Sequence, residues 1–534
     1  MSSHSRMRGL VTFTLLICTV VILPIRNAAS VHAADNDRPN VVVILADDLG
    51  WNSVGYHNKQ FRTPHIDQLV REGVELDRFY VAPMCSPTRA GLMTGRYPIR
   101  FGAARAVIPP YRDFGLPNNE LTLPERLAEL GYSRRGVFGK WHLGHRRSKW
   151  HPLNHGFTHF HGHFNGAIDY FELTRDEVRD WHVDAEPSDE QGYSTHLIAA
   201  AAAQWITDSA ASDAPYFCYV PFNAPHSPFQ APEETVARFT NDKTKNEQGR
   251  KRVKAKNRAT LHAMIWEMDQ GIGQILQSIA DSGEADNTIV WFFSDNGGIG
   301  SLPRLNSPLR GSKLSVYEGG IRVPACVRWP NRLPAGTKNQ RICGYIDVLP
   351  TIVEAAGGVV AVENDRPIDG ISLLSGLASE TSATSGSTTD AAATSLDSDQ
   401  AASSARSNQR PWFSYHGQSG IDNEHLAVLH NGWKLKVNGP RLMSKKQLTD
   451  ANHRIELFHL SVDPNETTNL ADKHPSRVNQ LGQMLLDYRK LQPHDAVPPY
   501  SVGRDGFIPP PQWRVDLDEP DALIGTYADE ANQE

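Results

Sequence analysis

The chain has 534 residues, 21% of them charged, and a net charge of −6. So small and acidic a balance excludes a general nucleic-acid binder, which needs a basic excess gathered on one face. Five cysteines, one of them inside an N-terminal apolar run, are too few for a disulfide scaffold, and the sequence leaves only a single bridge, Cys326 to Cys343, open.

The N-terminus carries Arg6 and Arg8, then "GLVTFTLLICTVVILPI", then "SVHAAD" with Val31 and Ala33 ahead of a cleavage point. That pattern reads as a secretory signal peptide over residues 1–33. Pro24 and Arg26 close the run before it becomes a retained anchor. The chain is therefore expected to be exported, periplasmic or secreted, with no stable membrane insertion after cleavage. About 500 residues then remain, enough for one large α/β domain and a smaller one.

"NVVVILADD" is a β-branched apolar run of the kind buried on both faces of a parallel sheet, and it ends in two carboxylates. "APYFCYVPFNAPH" and "NTIVWFFSDNGG" repeat the design. Helical patterns lie between them, "LTLPERLAELGY" with Gly131 as its stop and "RATLHAMIWEMDQGIGQILQSIADSG" with Gly283. Strands alternating with helices predict a doubly wound, mostly parallel α/β/α sandwich, whose ligands gather at the carboxyl ends of the strands. This catalytic domain is placed at 36–375. A Ser, Ala, Thr and Asp segment at 376–410 has almost nothing to bury and reads as a disordered loop or linker. Beyond it, "PWFSYHG", "HLAVLHNGWKLKVN" and "RIELFHL" predict a short antiparallel sheet with an Asn-Gly hairpin turn, and "PSRVNQLGQMLLDYRKLQ" a helix. These make an α+β subdomain at 411–534.

Asp47, Asp48, Asp295 and Asn296 supply hard oxygen ligands from two strand ends, the set of Ca²⁺ or Mg²⁺ rather than zinc. Either pair alone reads as a turn or a helix cap, and it is their place on one sheet edge that points to a metal. Arg89 near Cys85, Lys140 and His142 in "GKWHLG", His226 in "NAPHSP" and Lys313 in "LRGSKLSVYEGG" are explained together by a bound anion. The histidines of "HPLNHGFTHFHGHFNGAIDYF" lack zinc spacing, and "KNEQGRKRVKAKNR" reads as a solvated helix face.

"CSPTRAGLMTGR", Cys85 to Arg96, resembles the C-x-P-x-R signature of the type I, formylglycine-dependent sulfatases, within the alkaline-phosphatase-like superfamily. "ILADDLGWNSVGYH", "TPHIDQLVREGV", "GKWHLG", "DNGG" and "LFHLSVDPNETTNLA" resemble that family's other blocks, and "GAIDYF" resembles a block of N-acetylgalactosamine-4-sulfatase and arylsulfatase relatives. The resemblance implies that Cys85 is converted to formylglycine by a formylglycine-generating or anaerobic sulfatase-maturing enzyme, and that its hydrate attacks sulfur. It implies Asp47, Asp48, Asp295, Asn296 and the modified Cys85 as ligands of Ca²⁺, in preference to Mg²⁺. Arg89 then steadies the diol, Lys140 and Lys313 hold sulfate oxygens, His226 acts as the acid at the leaving oxygen, and His142 removes the proton that ejects sulfate.

The expected reaction is hydrolysis of sulfate esters, with a sulfated carbohydrate as substrate. "HPLNHGFTHFHGHFNGAIDYF" and "FGAARAVIPPYRDFG" mix aromatic and polar residues in the manner of sugar-facing loops. Two alternatives stand beside this reading: a phosphate or phosphonate ester hydrolase of the same superfamily, and an inactive exported anion-binding protein.

Overall fold

Asn40–Ala46 is buried along its whole length, and its side chains alternate between two apolar clusters: Val41, Val43 and Leu45 enter one, Val42, Ile44 and Ala46 the other. A strand covered on both faces needs a helical layer on each side of the sheet. The computed structural model describes Met1 and residues 38–240, 249–360, 366–378 and 410–527. Apart from Met1 the signal peptide lies outside the described residues, as does nearly all of the low-complexity segment.

The strands of the large sheet are β1 (Asn40–Ala46), β2 (Val74–Leu76), β3 (Arg134–Lys140), β4 (His159–His163), β5 (His182–Val183), β6 (Glu186–Pro187), β7 (Tyr216–Pro221), β8 (Thr288–Ser294), β9 (Ala325–Arg328) and β10 (Thr337–Asn339). Their order is β10-β2-β9-β8-β1-β7-β3-β4-β5-β6. The middle five, β8 to β4, run parallel, and antiparallel strands flank them.

The helices that matter to the layers are α1 (Pro64–Glu72), α2 (Cys85–Thr94), α3 (Leu123–Glu129), α4 (Ser194–Ala210), α5 (Gly249–Asp281), α6 (Val348–Ala355) and α7 (Pro475–Lys490). Residues of α1, α4 and α5 line one apolar cluster, and those of α2, α3 and α6 the other. The expected α/β/α sandwich is thus formed. Thr122 and Glu125 cap α3 reciprocally, and Gly131 and Gly283 follow α3 and α5 in the left-handed region, at φ +87° and +79°. The basic start of α5 is exposed, as expected of a solvated face.

Four antiparallel strands follow, β11 (Trp412–His416), β12 (Glu424–His430), β13 (Trp433–Gly439) and β14 (Arg454–His459), paired in chain order. The turn between β12 and β13 is the Asn-Gly pair, with φ +49° at Asn431 and +77° at Gly432. This sheet has no core of its own. Trp412, Leu426, Leu435, Leu457 and Leu481 belong to the cluster that also holds Val41 and Phe293 of the large sheet.

The bridge left open by the sequence is not formed. All four described cysteines are free. Cys326 is buried in the cluster on the α4 and α5 face and Cys343 in the cluster on the opposite face, so the sheet stands between them.

A candidate active site at the strand ends

β1 and β8 pair in register down to Ala46 opposite Ser294, so the turns after them leave the sheet at one level. Asp295 N donates to Ala46 O at 3.0 Å, and Asp48 N approaches Asp295 Oδ1 at 3.3 Å. Asp48 lies at φ +67°, a left-handed conformation that Asp tolerates better than most residues. Asp47, Asp48, Asp295 and Asn296 therefore converge, each 4% exposed or less.

The neighbouring strand ends add the cations. Lys140, the last residue of β3, puts Nζ 2.5 Å from Asp47 Oδ2. Gly139 before it sits at φ +121°, and a Cβ there would lie 2.3 Å from Pro221 O, so only glycine lets β3 pass β7 this closely. His142 follows at φ +56°. Gly166 packs against its imidazole, where a Cβ would come within 2.5 Å of the ring. After β7, His226 Nε2 lies 3.6 Å from Asp48 Oδ2, and its Nδ1–H donates to Ser227 O at 2.6 Å.

Cys85 is the first residue of α2, with Met84 before it in extended conformation. Pro87 falls in the first turn, where a missing N–H breaks no intrahelical bond. Arg89, one turn on, is wholly buried. It donates through Nη2 and Nε to Asp295 Oδ2 at 2.8 and 3.1 Å and through Nη1 to Lys140 O at 2.7 Å. Lys313 lies 2.8 Å from Asp48 Oδ1, and its loop is tied to the Cys85 loop by Leu314 N donating to Pro83 O at 2.9 Å. All the predicted site residues meet at this one sheet edge.

The electrostatics follow from burial against charge. Burial alone would raise Asp48, but Lys313, His226 and the Asn296 amide outweigh it and bring the carboxyl down to about 2. Asp295 is pushed up to about 6 by burial and the Asp47 charge, against the pull of Arg89. His142 is held far below the ordinary histidine range by burial and the charges of Lys140 and Arg89. His226 falls to about 3, through burial and Lys313. Both rings are therefore neutral. Burial pushes the Cys85 thiol up despite Lys140 and Lys313, so it stays protonated.

The donor set fits a hard divalent cation. Asp47 Oδ1 and Asn296 Oδ1 are buried without a hydrogen-bond partner, an arrangement that costs free energy unless something else meets them. Asp47, Asp48 and His226 bring one ligand atom each within 4.8 Å of one another. His226, predicted only as an acid, thus also borders the oxygen cluster. Asp295 stands apart from that group, with one oxygen held by Arg89.

Cys85, His142, His226 and Lys313 line a cavity of about 190 Å³ with Val107 and Pro110 from "FGAARAVIPPYRDFG" and Gly166 from the histidine-rich loop. Both predicted sugar-facing segments therefore reach it. Arg175, Gln418 and Tyr500 complete the wall, and sequence reasoning singled out none of these. Arg175 lies four residues past the end of the histidine-rich loop. Gln418 and Tyr500 arrive from the C-terminal region with no local signal at all. Tyr170 was also missed: its hydroxyl is 2.6 Å from Asn223 O and 2.8 Å from His226 O, which fixes the His226 turn. In the histidine-rich loop His151 and His163 bond backbone oxygens, His159 and His161 pair with Asp184 and Glu190, and His155 is buried beside Trp141.

The family model described as Sulfatase matches residues 39–359. Arylsulfatase J of Mus musculus is 29% identical over 495 residues, covering 87% of this chain and 78% of that protein. N-acetylgalactosamine-6-sulfatase of Rattus norvegicus is 33% identical over 380 residues, covering 66% and 68%. Among solved structures, Ps i-CgsB in complex with k-i-k-neocarrahexaose superposes with a TM-score of 0.71 at 24% identity over 86% of this chain and 94% of that one. A phosphonate monoester hydrolase of Agrobacterium radiobacter superposes at 0.56 and 19% identity over 85% and 96%, a likeness of fold alone.

Proposed function

The chain belongs to the sulfatase family and is a sulfuric ester hydrolase, and from that premise we propose that Cys85, converted to formylglycine, is its nucleophile and that its substrates are sulfated carbohydrates. The observation that carries this reading is the meeting of Cys85, His142, His226 and Lys313 in one cavity beside the Asp47, Asp48, Asp295 and Asn296 oxygens. A buried, protonated thiol is a poor nucleophile as it stands. Conversion to an aldehyde replaces it with a hydrate bearing two hydroxyls, one to attack sulfur and one to be deprotonated when sulfate leaves. No water need then attack the sulfated intermediate.

Asp47, Asp48, Asp295 and Asn296 would hold Ca²⁺, which suits a cage of protein oxygens better than Mg²⁺ does; bound, it supplies positive charge that screens an anionic substrate and lowers the pKa of a nearby hydroxyl. Arg89, one turn after Cys85 on the same helix, anchors Asp295 and the Lys140 carbonyl and so would position the attacking group. Asp295, held through one oxygen by Arg89, is suited by its place to take the proton from that hydroxyl. Lys140 and Lys313 are fixed by Asp47 and Asp48 and offer their remaining N–H groups to sulfate oxygens.

His142 is neutral with Nδ1 free of a partner, the state a base requires. His226 donates from Nδ1 and presents a lone pair at Nε2, so it serves as the leaving group's acid once it has taken up a proton. An approaching sulfate, opposing Lys313, favours that uptake. The relatives named for N-acetylgalactosamine-6-sulfatase activity and the aromatic and polar cavity wall support a carbohydrate as the alcohol. The N-terminal run supports export, and no helix among the described residues is long and apolar enough to cross a membrane.

The test is the intact mass of the Cys85 peptide from protein made in a host with a sulfatase-maturing enzyme. Conversion lowers it by about 18 Da, a change outside the ordinary oxidation products of cysteine. Specificity constants for aryl sulfate, phosphate and phosphonate esters complete it, and a preference for phosphorus would overturn the assignment.

A further inference from the structure

One arginine of the cavity wall has no structural task equal to its position. Arg175 sits on a short hairpin, Thr174–Arg175 against Val178–Arg179, whose turn residues Asp176 and Glu177 both lie at positive φ, +51° and +66°. Such a turn matches the strand twist and holds the hairpin in one geometry.

The second arginine of the same hairpin is the anchor. Arg179 donates to three backbone oxygens, at 2.7 Å to Ser188, at 3.4 Å to Glu172, and to Glu190. Arg175 makes two long contacts only, 3.3 Å to the adjacent and more exposed Asp176 and 3.5 Å to Ala167 O, and Nη2 has no partner among the described residues. An ion pair so open to water contributes ~0–1 kcal/mol. Stability therefore does not explain why Arg175 lines the cavity that holds Cys85 and Lys313.

The opposite wall has a matching feature. Tyr500 N donates to Gln418 O at 3.1 Å, which fixes the two residues together, and the buried Gln418 Oε1 has no hydrogen-bond partner. That oxygen can only accept. Among the described residues no carboxylate lines this cavity. The residues of this wall thus include an amide with an unpaired acceptor, an aromatic residue able to cover an apolar face, and a planar cation able to hold an oxyanion by two parallel hydrogen bonds.

We propose that Arg175 reads a second anionic group on the leaving alcohol, a carboxylate or a second sulfate, with Gln418 and Tyr500 holding the sugar that bears it. The preferred substrate is then a saccharide with at least two anionic groups. This rests on the sulfatase reading above, and Arg175 acts on substrate choice, apart from the reacting atoms.

The experiment uses the matured full chain and saccharides sharing one scissile sulfate, one carrying a uronate carboxylate, one a second sulfate and one neither, with 4-methylumbelliferyl sulfate as reference. Wild type is expected to favour at least one doubly anionic saccharide over the singly anionic one by ~10- to 100-fold in kcat/KM, the scale of a charged hydrogen bond. Arg175→Ala should bring that ratio towards one, mainly through KM, and Arg175→Lys should restore part of it. Whichever doubly anionic arm shows the effect identifies the group. A ratio near one in wild type, or the same ratio in wild type and Arg175→Ala, overturns the proposal. Turnover of an aryl phosphate in place of the aryl sulfate would instead be a failure of the sulfatase reading. Calorimetric binding of the same saccharides to Cys85→Ala and to Cys85→Ala with Arg175→Ala gives the ratio without catalysis, and equal affinities across the set overturn the proposal equally well.

Discussion

Two of the buried charge groups among the described residues bear comparison, and only one of the two has the makings of an active site. At the junction of the small sheet with the large domain, Lys434 Nζ lies 2.9 Å from Glu318 Oε1 and 2.8 Å from Glu466 Oε1. The Tyr80 hydroxyl donates to Glu318 Oε2 at 2.8 Å, and Glu318 N donates to Glu466 Oε2 at 2.7 Å. Nearby, Arg489 grips both oxygens of Glu424 at 2.8 and 2.7 Å. Each of these carboxylate oxygens lies within 3 Å of a donor or a cation, Glu466 Oε1 through its ion pair with Lys434 and not through a hydrogen bond, and none of the residues lines the Cys85 cavity. At the strand ends, by contrast, Asp47 Oδ1 and Asn296 Oδ1 face none, and Cys85, His142 and Lys313 beside them open onto that cavity. Buried charge alone therefore marks nothing. Unpaired oxygens next to an opening do.

The comparison predicts opposite responses to mutation. The largest effect is expected from Cys85→Ala, which should lower kcat for an aryl sulfate by at least ~1000-fold while the melting temperature stays within a few degrees, because the nucleophile is lost and no packing element is. Turnover within tenfold of wild type would mean that the cavity does not work through Cys85. Lys434→Met inverts the pattern: it strands two buried carboxylates and should cost about 3–5 kcal/mol in urea unfolding, while the folded fraction keeps its specificity constant. A cost below about 1 kcal/mol would show that this network is not what joins the sheets.

Removal of divalent cations sharpens the contrast. Chelation should lower both rate and melting temperature of wild type, with a loss of about 2.7 kcal/mol in unfolding free energy if the ion is present at about a hundred times its Kd. The same treatment should leave Glu424→Gln with its original stability deficit, since that pair binds no ion. Identical melting curves with and without chelator would remove the cation from the strand-end cluster.

His155 supplies the smallest and most discriminating case, for it is buried with neither ring nitrogen partnered, yet it does not line the cavity. Burial depresses its pKa to about 4. The unfolded chain, at about 6.5, takes up a proton that the folded chain refuses, so this contribution to stability is complete above pH 6.5 and is lost as pH falls towards 4. His155→Phe should therefore soften the loss of stability between pH 6.5 and 5.5 by about 1 kcal/mol in urea titrations, with the pH profile of turnover unmoved. An altered activity profile would place His155 within the catalytic machinery.

Periodicity and punctuation in the sequence determined much of this protein. A run such as Val41 to Leu45 has one stable environment, a strand between two apolar layers, and a turn such as Asn431-Gly432 has essentially one backbone conformation, so local chemistry was enough to specify them. The Asp47, Asp48, Asp295 and Asn296 cluster was legible too, because parallel strands in register deliver their last residues to one edge. The tertiary structure alone decided which oxygens stay unpaired, that Cys326 and Cys343 are separated by the sheet, and that the small sheet shares the main core. It also brought Gln418 and Tyr500, more than 300 residues from Cys85, to the wall facing Arg175. A side chain's reach into a cavity depends on how distant segments pack, and residues so far apart in the chain leave no shared period for a sequence to display.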